Sequence, residues 1–136
     1  MDLSLYAPFI EMTIPNGVRF NRYNVALRGL RHEFRFNRLR VQLNLCSLNG
    51  RWGGALSIYT NTWVCGSAVM KESLTFSSFE ECADYLWWTA FERIERGKEG
   101  ITMEFLHFKV AYNKWLTLMT EQKYELFKEV DFYATV

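Results

Sequence analysis

Between Leu39 and Leu45 apolar and polar side chains alternate strictly: Leu39, Val41, Leu43 and Leu45 are interleaved with Arg40, Gln42 and Asn44, and Cys46 follows in the polar phase. A period of two marks a strand with one face in a core and the other in water. Asn49-Gly50 comes next, a dipeptide that accepts positive φ at both central positions of a two-residue hairpin turn. Gly53-Gly54 adds backbone freedom beside Trp52, and a returning strand is expected over 55–59. A further β-rich run at 63–70 is broken by Gly66. Upstream, Phe34 and Phe36 fall on even positions whereas the Leu39 series falls on odd ones. The phase must flip, so a tight turn or a bulge is expected at Asn37-Arg38. Pro15-Asn16-Gly17 reads as a turn between short β-like runs at 9–14 and 18–23. The stretch 24–30 stays open between a strand and a helical turn capped by Asn24, because Gly29 would end such a turn early.

After residue 78 the period lengthens. Phe79, Ala83, Leu86, Ala90 and Ile94, widened by Cys82, Trp87 and Phe91, form the stripe of an amphipathic helix over 79–96. Ser78 and Glu81 make a capping box at its start, Glu80 and Asp84 suit its positive end, and Arg93 and Arg96 suit its negative end. Gly97 is expected to stop it in a left-handed conformation. Ile101, Phe105, Phe108, Tyr112, Trp115 and Met119 then recur at helical spacing. Leu106, Phe108, Val110 and Tyr112 also alternate as a strand would, but the length of the pattern favours a second helix. A short final helix is expected over 121–130. Strands first and helices afterwards predict an α+β fold, with an antiparallel sheet of four or five strands covered by two or three C-terminal helices, in a single domain over 1–136.

Composition adds a surplus of rings. The 136 residues include 5 Trp, 7 Tyr and 11 Phe, more than a core of this size consumes, so some of them should line a recognition surface or a subunit interface. Adjacent Trp87 and Trp88 lie about 100° apart on a helix, which leaves one of them for the surface. The 3 cysteines, Cys46, Cys65 and Cys82, have neither the even count of a disulfide framework nor the close pairing of a zinc site. No cofactor and no metal are therefore expected. The start Met1-Asp2-Leu3-Ser4-Leu5 lacks the basic and apolar regions of a signal peptide, and no apolar stretch is long enough to span a bilayer. A soluble, cytoplasmic protein without a membrane partner is expected.

Charge supplies the candidate chemistry. The net charge of +1 conceals a split: residues 1–51 hold eight Arg, no Lys and three acids, a balance of +5, and the remainder carries −4. Arg19, Arg22, Arg31, Arg35, Arg38 and Arg40 are interleaved with Phe20, Tyr23, Phe34 and Phe36. Guanidinium forks bind carboxylate and phosphate, and aromatic rings stack on unpaired bases, so these Arg residues with Phe34, Phe36, Trp52 and Trp88 form the candidate binding set. His32 and His107 sit in no catalytic motif: there is no nucleophile elbow, zinc helix, phosphate loop or dinucleotide fingerprint. The sequence thus points to a small non-enzymatic binding protein, an inhibitor or accessory factor. Its partner is expected to be another protein or a second copy of the chain. A single-stranded nucleic-acid module using an Arg and aromatic sheet face is the alternative.

Overall fold

The computed structural model describes residues 20–133. The alternating run becomes β2 (Leu39–Leu48), which pairs with β1 (Arg28–Phe36) on one side and β3 (Arg51–Tyr59) on the other, antiparallel throughout. Leu39, Val41, Leu43 and Leu45 are completely buried, which places the apolar phase of β2 in the main core. The phase flip at Asn37-Arg38 is a two-residue hairpin turn, with Phe36 paired to Leu39 and Asn37 at φ 50°. Asn49 and Gly50 adopt φ 55° and 80°, as a hairpin turn with the right-handed strand twist requires. Both β1–β2 and β2–β3 are therefore closed by turns that the sequence announces.

Beyond this point the structure departs from several expectations. β3 begins at Arg51 rather than at residue 55, so Gly53 and Gly54 lie inside the strand opposite Cys46 and Leu45. Only β4 (Val64–Gly66) of the 63–70 run is a strand; Met70 makes an isolated bridge to Val25. The stretch left open at 24–30 resolves into β1 from Arg28 onward, with Ala26 hydrogen-bonded to Val69 just before it. Of the hairpin expected around Pro15-Asn16-Gly17, residues up to 19 lie outside the described residues; in its second run Phe20 bridges Ala26, but the chain turns at 21–24, with the Asn24 N–H donating to the Asn21 carbonyl, instead of continuing as a strand to Tyr23.

Helix α1 (Phe79–Arg96) covers the sheet on the β2 and β3 side, and α2 (Thr102–Thr117) packs beside it. The strand-like alternation at 106–112 loses to the helical one: Phe105, Phe108 and Trp115 are buried, while Leu106 and Val110 are exposed. The last segment corrects the sequence reading. The final helix, α3 (Thr120–Glu125), stops early, and β5 (Lys128–Asp131) pairs antiparallel with β1. Val130, read as part of a helical face, is a strand residue opposite Gly29. The sheet order is β4-β3-β2-β1-β5, so the helices form a crossover that returns the chain to the β1 edge.

The main core lies between sheet and helices and is dense with rings, Trp87 stacking on Phe108 at 5.4 Å and on Trp115 at 5.1 Å. A second cluster of Ala26, Cys46, Ala55, Val69 and Phe132 covers one end of the opposite sheet face. The rest of that face carries polar side chains.

Candidate binding face on the sheet

On the face turned away from the helices, the pairing of β1, β2 and β3 sets residues in rungs. Arg31 stands beside Asn44, Glu33 beside Gln42 and Ser57, and Arg35 beside Arg40, which pairs in turn with Tyr59. The alternation that buries Leu39 to Leu45 thus turns Arg40, Gln42 and Asn44 to the same side as Arg31, Glu33 and Arg35. At the far end of this face Arg35, Arg38, Arg40 and Tyr59, with Asn37, Thr60 and Asn61, surround an open depression of about 280 Å³.

The guanidinium groups differ in how firmly they are held. Arg31 donates from Nε to Asn44 Oδ1 at 2.7 Å and from Nη2 to the Phe132 carbonyl at 3.1 Å, which ties it to the second cluster. Arg35 donates twice to Glu33 Oε2, at 3.2 Å and 2.9 Å, with most of its side chain in solvent. The Glu33 carboxyl is held below its ordinary range despite the opposing effect of burial, because Arg35 and Gln42 both donate to it. Arg40 lies over the Tyr59 ring at 4.3 Å and makes no ion pair among the described residues. Arg38 reaches back across the hairpin turn to Glu104, with Nε 3.4 Å from the carboxylate. Glu104 is buried in the first turn of α2, and its own backbone N–H, with the N–H and guanidinium of Arg38 behind it, holds its carboxyl below the usual range.

The remaining residues of the expected set are dispersed. Arg19 lies outside the described residues, and Arg22 sits in the turn before β1 over Tyr23. Arg28, which the candidate set omits, pairs with Asp131 at 2.8 Å and with Glu129 at 3.5 Å, so part of the charge split is spent internally between β1 and β5. Phe34 and Phe36 project to the helix side: Phe34 meets Phe108 edge-on at 5.1 Å, and Phe36 stacks on His107 at 3.7 Å. Trp52 is core, 2% exposed and edge-on to Phe79. Of the Trp87–Trp88 pair, Trp87 is buried and Trp88 is half exposed on the outer side of α1, beside Tyr85. The structure therefore brings Arg35, Arg38 and Arg40 together and separates them from all four expected rings. Tyr59, the ring that does join them, was legible only once β3 was set in register with β2.

His107 Nδ1 is bound to the Met103 carbonyl, and His32 Nδ1 to that of Leu126, both at 3.1 Å. Burial pushes the Cys46 thiol up to about 12 and raises that of Cys82 as well. Cys65, on β4, has the Arg93 Nη1 3.0 Å from its sulfur. Among the described residues no group of three His, Cys, Asp or Glu side chains could hold a metal ion, and no helix is long and apolar enough to cross a membrane. No protein-family model, no curated protein and no solved structure matches the chain.

Proposed function

We propose that this chain is a non-enzymatic binding protein whose sheet-end depression receives an acidic side chain or chain terminus of a partner protein. One observation carries the reading: Arg35 and Arg40 are direct cross-strand neighbours on the open face, with Arg38 at the same depression. Like charges set opposite one another in a sheet oppose folding; Glu33 answers Arg35 with two hydrogen bonds, whereas Arg40 makes no ion pair among the described residues. A carboxylate offers two oxygens to two forks and relieves that repulsion on binding.

The same geometry weighs against the nucleic-acid alternative. Single-stranded nucleic acid needs ring faces beside the cations. Here Phe34 and Phe36 lie across the sheet from Arg35, and the Tyr59 ring is covered by Arg40. The test titrates a Glu-rich peptide and a single-stranded oligonucleotide of equal charge into the parent and into the Arg35→Gln/Arg40→Gln variant. The peptide should bind the parent and lose at least about tenfold in affinity with the variant. An oligonucleotide that binds more tightly than the peptide, with an affinity falling linearly in log–log salt plots, would establish the alternative instead.

A further inference from the structure

Helix α2 is apolar on two sides. Phe105, Phe108 and Trp115 turn into the core, yet on the opposite side Met103, Leu106 and Val110 are 55%, 46% and 69% exposed. Their spacings of three and four set these side chains in one stripe along the solvent face of the helix. Asn113 and Thr117 continue the line, so the stripe is apolar over about two turns and polar beyond them. Leu116, also exposed, lies farther round the helix on the side of Lys109. A surface helix keeps its apolar residues on one face, and a helix apolar all round is one that is covered all round.

The charges beside the stripe have one sign. Lys109 flanks it on one side and Lys114 on the other, both exposed, and His107, stacked on Phe36, borders it on the Lys114 side. Neither lysine makes an ion pair among the described residues: Lys109 lies over the Phe105 ring at 5.4 Å, and Glu125 shares a cavity wall with Lys114 without pairing to it. Glu104, the one acid of α2, is buried and faces Arg38. A second copy of the chain is therefore a poor cover. Laid parallel along the stripe, another α2 would bring each Lys109 to the Lys114 of its neighbour, and laid antiparallel it would bring like lysines together, so both arrangements oppose cation to cation.

We propose that the solvent face of α2 docks an acidic amphipathic helix of a partner protein. The apolar stripe of that helix lies along Met103, Leu106 and Val110, and Asp or Glu on its two flanks meets Lys109 on one side and Lys114 on the other. Burial of the apolar contact supplies the affinity, and the two lysines select the sign of charge on the partner. Asn113 and Thr117 limit the contact to a short segment. Arg35 and Arg40 lie on the sheet face turned away from the helices, so this surface needs no occupant in the depression.

The test titrates two synthetic helical peptides into the 15N-labelled full chain, both with Leu along one stripe, one with Glu and the other with Lys on its flanks. The Glu peptide should saturate at one equivalent, shift the backbone amides of Met103, Leu106 and Val110, and bind at least about tenfold more tightly than the Lys peptide. Leu106→Gln/Val110→Gln changes residues that already face water, so it should keep the circular dichroism spectrum and lose at least about tenfold in affinity. Lys109→Glu/Lys114→Glu should invert the preference between the peptides. Arg35→Gln/Arg40→Gln should bind the Glu peptide as the parent does; loss of binding there would assign the peptide to the sheet depression and overturn the α2 surface. Equal affinity for the two peptides, a preference that the lysine variant leaves unchanged, or no saturable binding of either would overturn it as well. So would a parent that sediments as a dimer and becomes monomeric on Leu106→Gln/Val110→Gln, because the stripe would then be covered by a second copy.

Discussion

A single carbon decides the behaviour of Gly97. The sequence suggests a left-handed helix stop, but its φ is −108°, ordinary for any residue. The requirement is steric: a Cβ there would lie 2.9 Å from the Trp63 ring, whose Nε1 donates to the Gly97 carbonyl at 3.1 Å. Gly97→Ala should therefore cost about 1–3 kcal/mol through overpacking. Because the fault is the ring and not the backbone, Trp63→Leu should restore most of the loss when combined with it, as a double-mutant cycle in urea would show. A true left-handed stop would give no such rescue. His32 supplies a second residue-scale expectation. Burial lowers its folded-state pKa below the ordinary imidazole value, so the unfolded chain binds the proton more readily. Stability associated with His32 is then complete above the unfolded pKa near 6.5 and is lost as pH falls through the folded one. Between about pH 7.5 and about pH 5.5 the parent Tm should fall further than that of His32→Phe. Parallel curves would mean that the ring titrates alike in both states.

Helix α1 was the most legible element, because its start is written in side chains that need no tertiary partner. Ser78 accepts from the Glu81 N–H at 3.1 Å as the capping box requires, but Glu81 reaches back to Ser77, to its N–H at 3.0 Å and its hydroxyl at 3.1 Å, rather than to Ser78. Ser78→Ala should cost about 1 kcal/mol, read from a urea melt. The α3–β5 segment was misread for the opposite reason. Tyr124, Phe127 and Val130 fall at helical spacing, yet the helix ends at Glu125 and the chain straightens to give β1 a neighbour. Sheet-edge pairing is a long-range gain that no local period records. What holds α3 in place was equally invisible: Lys123, buried among rings, donates to Glu80 at 2.9 Å and Asp84 at 3.0 Å on α1, and lies over Trp115 at 5.0 Å. The two carboxylates together hold the lysine pKa above its ordinary value, although burial, the largest single influence, acts downward. Both carboxylates keep access to water, so Lys123→Ala should cost about 1–2 kcal/mol rather than the larger penalty of stranding a fully buried charge. Hydrogen exchange should speed up in α3 and β5 before it does in β2; uniform acceleration would mean that α3 has no separate stability.

Across the whole molecule, the split of positive and negative charge along the sequence becomes two different things in space. Arg28 with Glu129 and Asp131 ties β1 to β5, and Arg38 with Glu104 ties the β1–β2 turn to α2. Sequence reasoning grouped Arg19, Arg22, Arg31, Arg35, Arg38 and Arg40 by their closeness in number and left open whether they share a face; the strand register sets Arg31, Arg35 and Arg40 on one face. The sequence alone could not show that Arg31 is bound to Asn44 and Phe132, or that Arg38 faces a buried acid brought from 66 residues away. The functions of the three Arg at the depression should therefore separate under mutation. Arg35→Gln/Arg40→Gln removes a repelling cross-strand pair, and the parent Glu33 keeps Gln42 as a donor at 3.2 Å, so stability should hold or rise by a few tenths of a kcal/mol. Adding Arg38→Gln withdraws the cation from Glu104, which is only 2% exposed and cannot turn to water, so the triple variant should melt below the double one. Glu104→Gln should recover that difference in the triple background, since a neutral amide has no charge left to strand. If the double variant already melts well below the parent, Arg35 and Arg40 are supports of the sheet, and the depression they line was built for stability and not for a partner.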